Sequence, residues 1–510
     1  MIVVTHTKGT VVKISPENGT SVVGKPLVEV LFLLSETAPA ATLVWCDSEY
    51  EVFLNREKLE TLFSHNRLML SYNVSEIYSL PDAIGYVEDS PFIKINRAVQ
   101  YPTWMMSTDV GMIHASTLRL FKDYKLKGSN AFILTSIAKI GMKQGLLCYS
   151  SPELLMRSNL HNASAKKDQD ISELFKFVYQ HYKTRWMFLL LLNYAIFEKK
   201  LPLFSFLKGF LANKLISCKP LIGEISVHTG DKLSEESIDV IIPTIGRKQY
   251  LYDVLKDLSV QSLLPAKVII VEQNPEIGSK SELDYLITED WPFKISHHFT
   301  QQTGACNARN IAISHIESQW VFMADDDIRF DKNTIESTFS FLEKYKARAV
   351  TLSCLREGDV EKEPNVLQWR SFGSGCSIVA SEVVKNTLFD MGFEHGFGED
   401  TDYGMQLRNK GYDVLYNPFI KLKHLKAPVG GFRQKVEKPW ENTVITPKPS
   451  PTILLYRLKH TTKTQLNGYK LLLFLKFYKE QAVKNPFAYV RTMNQRWNAG
   501  LDWAQKLMKV

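Results

Sequence analysis

Three short apolar runs decide what this chain can fold into. Ile238-Asp-Val-Ile-Ile242 stops at Pro243-Thr-Ile-Gly246, Lys267-Val-Ile-Ile-Val271 stops at Glu272-Gln-Asn-Pro275, and Gln319-Trp-Val-Phe-Met-Ala324 stops at Asp325-Asp326-Asp327. Helical patterns lie around them, at 250–262 and 308–316. Short runs this apolar are strands of a sheet interior, and strands that alternate with helices build a parallel α/β sheet. Ligands of such sheets bind beyond the carboxyl ends of the strands. All three runs place polar or acidic groups at that edge.

The acidic triplet asks for an explanation. Three successive carboxylates repel one another, and they persist at a strand end when something cationic offsets them. A divalent ion with oxygen ligands and a bound diphosphate does so. A second acidic group, Gly396-Phe-Gly-Glu-Asp-Thr-Asp402, opens a helical stretch at 403–410, where the helix dipole favours negative charge. Between them, Gln302-Thr-Gly304 leads into Ala308-Arg-Asn310, a loop entering a helix whose N–H groups and Arg309 suit phosphate or ribose. His424 follows in Lys421-Leu-Lys-His-Leu-Lys426.

Pro-Thr-x-Gly-Arg after one strand, an acid after the next, then Ala-Arg-Asn, Asp-Asp-Asp, Gly-Glu-Asp and His come in that order within residues 237–428. The combination resembles glycosyltransferase family 2, the inverting GT-A group that uses nucleotide-diphosphate sugars. The resemblance implies a GT-A-like, mostly parallel sheet flanked by helices and a metal-dependent, inverting transfer with Mn²⁺ or Mg²⁺. The donor implied is a nucleotide-diphosphate sugar, a UDP-sugar first. Thr244, Arg247, Glu272, Arg309, Asp325 and Asp326 would bind it, with Glu272 reading the base and Asp325 the ribose. Asp327 would hold the metal, approached by His424. Asp400 would be the general base, with Glu399 as the alternative. Trp369 and the turn Gly373-Ser374-Gly375 lie between the acidic motifs and are expected on the acceptor side, with a glycan or a lipid-linked acceptor of bacterial surface polysaccharide synthesis. Two rivals are a non-catalytic carbohydrate-binding or scaffold protein and a sugar nucleotidyltransferase. The latter wants a Gly-rich loop after the first strand, where Pro243-Thr-Ile-Gly-Arg-Lys248 has one glycine.

The remainder of the 510 residues divides by pattern into an α/β pseudo-domain at 1–165, a helical connector at 166–225, a polar linker at 226–237, the transferase domain at 236–440 and helices at 441–510. The first region echoes the later one. Val44-Trp-Cys-Asp-Ser-Glu49 resembles the run into Asp325-Asp326-Asp327 with one gap; Trp104 on Trp369 sets Ile113-His-Ala-Ser116 on Ile378-Val-Ala-Ser381; Gly145 on Gly411 sets Pro152 on Pro418. Such a copy puts Ile133 and Leu134 where Glu399 and Asp400 stand. It also has no room for a nucleotide-binding half, since only 46 residues precede Asp47.

Six scattered cysteines without metal spacing suit a reducing compartment, and no secretory signal pattern opens the chain. Both point to a cytoplasmic protein. The net charge of +8 sits in the tail: residues 451–510 hold eleven Lys/Arg against two Asp/Glu, with Tyr469-Lys-Leu-Leu-Leu-Phe-Leu-Lys-Phe-Tyr478 among them. Either this tail touches an anionic membrane surface, on the inner face of the membrane, or it packs as an amphipathic helix on the body. No recognised nucleic-acid module or aromatic platform surrounds it, so no nucleic-acid partner is expected. The longest apolar run, 186–197, is too short to span a bilayer and reads as a buried or interfacial helix.

Overall fold

The computed structural model describes residues 1–16, 22–74, 78–156, 170–227, 236–428 and 436–509. The expected linker at 226–237 falls mostly at 228–235, outside the described residues. The chain groups into two compact units instead of the four parts and linker anticipated. One comprises residues 1–228 with 461–479, the other 229–460 with 480–510.

The first unit carries strands β1 (Ile2–Thr7), β2 (Thr10–Ser15), β3 (Thr42–Asp47), β4 (Leu68–Tyr72), β5 (Tyr101–Pro102), β6 (Val110–His114) and β7 (Leu147–Ser150), in the sheet order β2-β1-β3-β6-β4-β7-β5. The expected connector belongs to it. Phe177, on the helix Ile171–His181, stacks on Trp104 at 5.3 Å and meets Phe132 at 5.8 Å, long-range contacts that a local helical pattern does not announce. The helix Lys463–Tyr478 of the basic tail also belongs here. Thr462 and Gln465 close a capping box at its start. Gln465 donates to the carbonyls of Glu88 and Ser90 at 3.1 and 2.9 Å, and Gly468 packs on the backbone of Tyr86.

The second unit carries β8 (Ile238–Thr244), β9 (Lys267–Gln273), β10 (Lys294–Thr300), β11 (Trp320–Ala324), β12 (Ile328–Phe330), β13 (Ala349–Leu355), β14 (Leu367–Gln368), β15 (Cys376–Ala380) and β16 (Leu415–His424). Its sheet runs β10-β9-β8-β11-β15-β13-β16-β12, with β14 also on β16. Strands β8 to β11 are mutually parallel, and β9 and β11 are buried throughout, as the apolar runs require. The helix Lys248–Ser259 turns Leu251, Val254, Leu255 and Leu258 inward at helical spacing. The chain winds outward from β8 through β9 to β10, then returns to β11 on the other side. This reversal opens a crevice at the carboxyl ends of β8 and β11.

The two sheets share one pattern. β1-β3-β6-β4-β7-β5 and β8-β11-β15-β13-β16-β14 follow the same chain order, and each neighbour pair runs in the same direction. Matching hydrogen bonds fix the correspondence. Asp47 N–H donates to Asp109 O at 2.7 Å as Asp325 N–H does to Gly375 O at 3.1 Å, and Ala115 N–H donates to Ala41 O at 2.9 Å as Ser381 N–H does to Gln319 O at 2.8 Å. Thr103 N–H meets Cys148 O at 3.0 Å where Trp369 N–H meets Val414 O at 2.8 Å. So Thr103 and Ala115, not Trp104 and Ser116, hold the places of Trp369 and Ser381; the ungapped alignment of that segment is one residue out of register. The pairing of Gly145 with Gly411 fits these ladders, and both glycines are left-handed, at φ 94 and 93. The sheets part company beside the first strand. β1 pairs antiparallel with β2, whereas β8 continues into parallel β9 and β10.

Among the described residues no helix is long and apolar enough to cross a membrane. The apolar run 186–197 forms the helix Arg185–Asn193 and a π-helical turn, Tyr194–Glu198.

Candidate active site

A cavity of 680 Å³ lies at the carboxyl edge of the second sheet, and the sequence motifs converge on it. Thr244, Arg247, Arg309, Asp325, Asp326, Asp327, Ser374, Gly375, Glu399, Asp400 and His424 all line it.

The three aspartates are held differently because successive residues leaving β11 face different partners. Asp326 is the inner one. Its carboxylate accepts from Thr244 Oγ1 at 2.7 Å and from Arg247 Nη1 at 2.5 Å. Burial pushes its pKa up to about 6 although Arg247 and Thr244 pull the other way. This carboxylate is committed to the protein and braces β8 against β11.

Asp325 accepts from Arg309 Nη2 at 2.9 Å. A Cβ on Gly375 would come within 2.1 Å of the Asp325 carboxylate, so the turn after β14 must be glycine there for the acid to fit. Asp327 receives Ala427 N–H at 2.9 Å and lies 3.3 Å from both Arg247 Nη1 and His424 Nε2. Burial alone would raise it; the His424 hydrogen bond, Ala427 N–H and Arg247 together hold it below the usual carboxylate range.

The helix Glu399–Asn409 begins with two carboxylates that line the same cavity. Ser374 N–H donates to Asp400 Oδ1 at 3.3 Å. Burial raises Asp400, with Arg309 opposing, and burial together with the Asp400 charge pushes Glu399 up to about 7.

Three expected residues are not on this cavity. Glu272 turns aside: it accepts from Glu282 N–H at 3.3 Å, and its other oxygen lies 2.9 Å from His297 Nε2. Its neighbour Gln273 lines the cavity instead and accepts Gly304 N–H at 2.7 Å, because adjacent strand residues face opposite sides. Trp369 stacks on Tyr416 at 4.2 Å and, with Gly373, lines a second cavity of 450 Å³.

The helix Ala305–Ile313 also departs from expectation. Its first free N–H groups, Cys306 and Asn307, donate to the Glu394 carboxylate at 3.2 and 2.7 Å. The helix end that looked open to phosphate is already capped from within. Glu394 was missed because it belongs to no motif; Arg356, Lys426 and Lys438 bring further cations to the cavity, again without a motif.

As to a metal, no group of three His, Cys, Asp or Glu side chains converges among the described residues. Asp327 and His424, side by side on the cavity, still suit a hard cation, which takes one or two protein ligands and completes its shell with substrate phosphates and water.

Residues 239–397 match the family model for Glycosyl transferase family 2, and the second unit therefore carries a family 2 glycosyltransferase domain. No curated protein matches the chain. Among solved structures, the fragment 1–349 of S. aureus TarS is 15% identical over 37% of this chain and 60% of its own, at a TM-score of 0.31. The same fragment in complex with UDP-GlcNAc is 14% identical over 53% of this chain and 83% of its own, at 0.36. GalNAc-T7 with UDP, GalNAc and Mn²⁺ is 13% identical over 37% and 44%, at 0.31. This chain thus spans 60% of the first TarS fragment and 43% of the longer TarS chain. At such distances no residue role passes from those proteins to this one.

Proposed function

We propose that the second unit is an inverting glycosyltransferase, moving a sugar from a nucleotide-diphosphate donor, UDP-linked first, to an acceptor hydroxyl. The observation that supports this reading is the convergence of two charged sets on one cavity. Arg247 and the aspartates follow β8 and β11, Arg309 stands on the helix Ala305–Ile313, and the raised pair Glu399 and Asp400 lines the same cavity.

Arg247 and Arg309 bring fixed positive charge to the donor, and Asp325 takes the ribose hydroxyls. Asp327 and His424 would hold Mg²⁺ or Mn²⁺, which would supply positive charge to a diphosphate leaving group. Asp400, oriented by Ser374 N–H, removes the acceptor proton as its oxygen attacks; a raised carboxylate pKa makes it a better base at neutral pH. One base opposite the leaving group gives a single displacement, hence inversion. Ser374 and Gly375 border the acceptor side, which takes a glycan or lipid-linked acceptor of surface polysaccharide synthesis, and Trp369 and Tyr416 offer a stacked aromatic pair at a second cavity. The base reader remains Glu272 only if it rotates out of its hydrogen bonds; Gln273 is the residue already in place.

The first unit is a copy of this scaffold without its chemistry, with a binding or scaffolding role. The basic tail brings the cytoplasmic enzyme to the inner face of the membrane.

The test is thermal stabilisation by nucleoside diphosphates with and without Mn²⁺. A ligand at a hundred times its dissociation constant adds about 2.7 kcal/mol to the folded state. One nucleotide should stabilise the wild type only with metal, and Asp327→Ala should abolish the shift. A wild type that no nucleotide shifts, metal present, sinks the donor-site assignment.

A further inference from the structure

The helices that follow the first sheet leave an apolar face uncovered. On Arg185–Asn193 and its π-helical extension, Phe188, Leu192 and Ile196 recur every fourth residue and are exposed. On Leu203–Gly209 and just beyond, Phe204, Leu207 and Leu211 follow at spacings of three and four and are exposed too, Phe204 at 77% and Leu211 at 85%. The two strips adjoin, since the Phe188 ring lies 5.2 Å from Phe206 and 6.3 Å from Phe210. Their inner sides are satisfied: Met187, Leu190 and Phe206 are buried in the core of the unit. Exposure is therefore not a failure of packing but a second, outward apolar face, and contiguous faces of this kind mark interaction surfaces.

Charge selects the occupant. Residues 183–219 hold seven Lys/Arg and one acid, Glu198. That acid is engaged, accepting from Tyr86 OH at 2.5 Å. Lys199 and Lys200 sit in the turn between the strips, and Lys208 on the second helix; all three are exposed. A second copy would set these cations against themselves. An anionic bilayer offers the complement: phosphates for the lysines and an acyl boundary for Phe and Leu.

We propose that this face of the first unit docks on a lipid bilayer bearing anionic headgroups, with Phe204, Leu207 and Leu211 entering the interface and Lys199, Lys200 and Lys208 at the headgroups. It does not depend on the transferase reading.

Co-sedimentation of the full chain with vesicles tests it, using phosphatidylcholine alone and phosphatidylcholine with 30% phosphatidylglycerol. The wild type should bind the anionic vesicles at least tenfold more tightly, and 0.5 M salt should release it. F204S/L207S/L211S and, separately, K199E/K200E/K208E should each lower the affinity at least tenfold at an unchanged melting temperature; should either fail to fold, Leu211→Gln alone serves. Failure of the wild type to bind at low salt, equal binding to neutral vesicles, or a triple variant that binds like wild type overturns the proposal and leaves the face to a protein partner.

Discussion

The two units are one strand pattern carrying opposite interiors at the same place. The supporting hydrogen bonds persist in both. Thr7 Oγ1 and Ser48 Oγ are 2.9 Å apart where Thr244 bonds Asp326 at 2.7 Å, Ser107 N–H donates to Ser71 Oγ at 3.1 Å where Gly373 N–H donates to Thr351 Oγ1 at 3.2 Å, and Ser136 pairs with His181 at 3.1 Å where Asp402 pairs with His460 at 2.6 Å. What changes is charge. Ser48 stands for Asp326, Ser136 for Asp402, and Leu134, fully buried in the core, for Asp400. Even the retained acid is reassigned: Asp47 accepts backbone N–H groups of Lys8 and Glu49 at 3.0 and 3.2 Å. Polar brackets that shape the scaffold and charges that serve a ligand are separable sets.

The sharpest way to break this comparison is at matched positions. Asp400→Asn should lower turnover of a nucleotide-sugar donor by about 10²–10⁴-fold with little change in melting temperature. Leu134→Ala should instead cost about 2–5 kcal/mol of stability, leaving the rate per folded molecule intact. A rate loss at Leu134, read from initial velocities, would contradict the division. Next in size is the shared bracket behind the helix. Asp402 receives Lys459 at 2.7 Å as well as His460, so Asp402→Ala leaves the buried imidazole without its partner while Lys459 keeps Asp390, and should cost about 1–3 kcal/mol in denaturant unfolding. Its counterpart, Ser136→Ala, should cost about 0.5–1.5 kcal/mol.

Gly375→Ala comes third. Its Cβ displaces the Asp325 carboxylate, so nucleotide affinity by calorimetry should weaken about tenfold, near 1.4 kcal/mol, while Asp109 fills the matching place with a full side chain. The smallest effect concerns protons. Glu399 is raised from 4.5 to about 7, so between those values the folded state binds the extra proton and the wild type loses stability as pH rises. Glu399→Gln should remove that slope, with a melting advantage that opens above pH 4.5 and levels off above pH 7. Parallel melting curves across that window would show the carboxylate to be unperturbed.

The sheet and the acidic triplet were legible because both are local: apolar runs and the residues that end them are written contiguously. Position on the sheet was less so. Glu272 and Gln273 are both polar and both end β9, and only the pleat decides which meets the cavity. The one-residue slip at Trp104 has a similar cause, for strands buried on both faces lack the alternation that pins register. The connector at 166–225 looked autonomous since its aromatic partners, Trp104 and Phe132, lie far back in the chain. Trp369 was legible as an aromatic near the site, but its stacking on Tyr416 is a long-range fact.

Glu394 has a consequence for how such a site changes through descent. Having neutralised the end of the helix Ala305–Ile313, it leaves the positive charge of the cavity to Arg247, Arg309 and the other cations that line it. Charge borne by a helix end disappears only when the backbone is rebuilt, whereas charge borne by side chains can be deleted one codon at a time. A cleft of this second kind can gain, retune or discard its ligand while the sheet beneath it goes on folding unchanged.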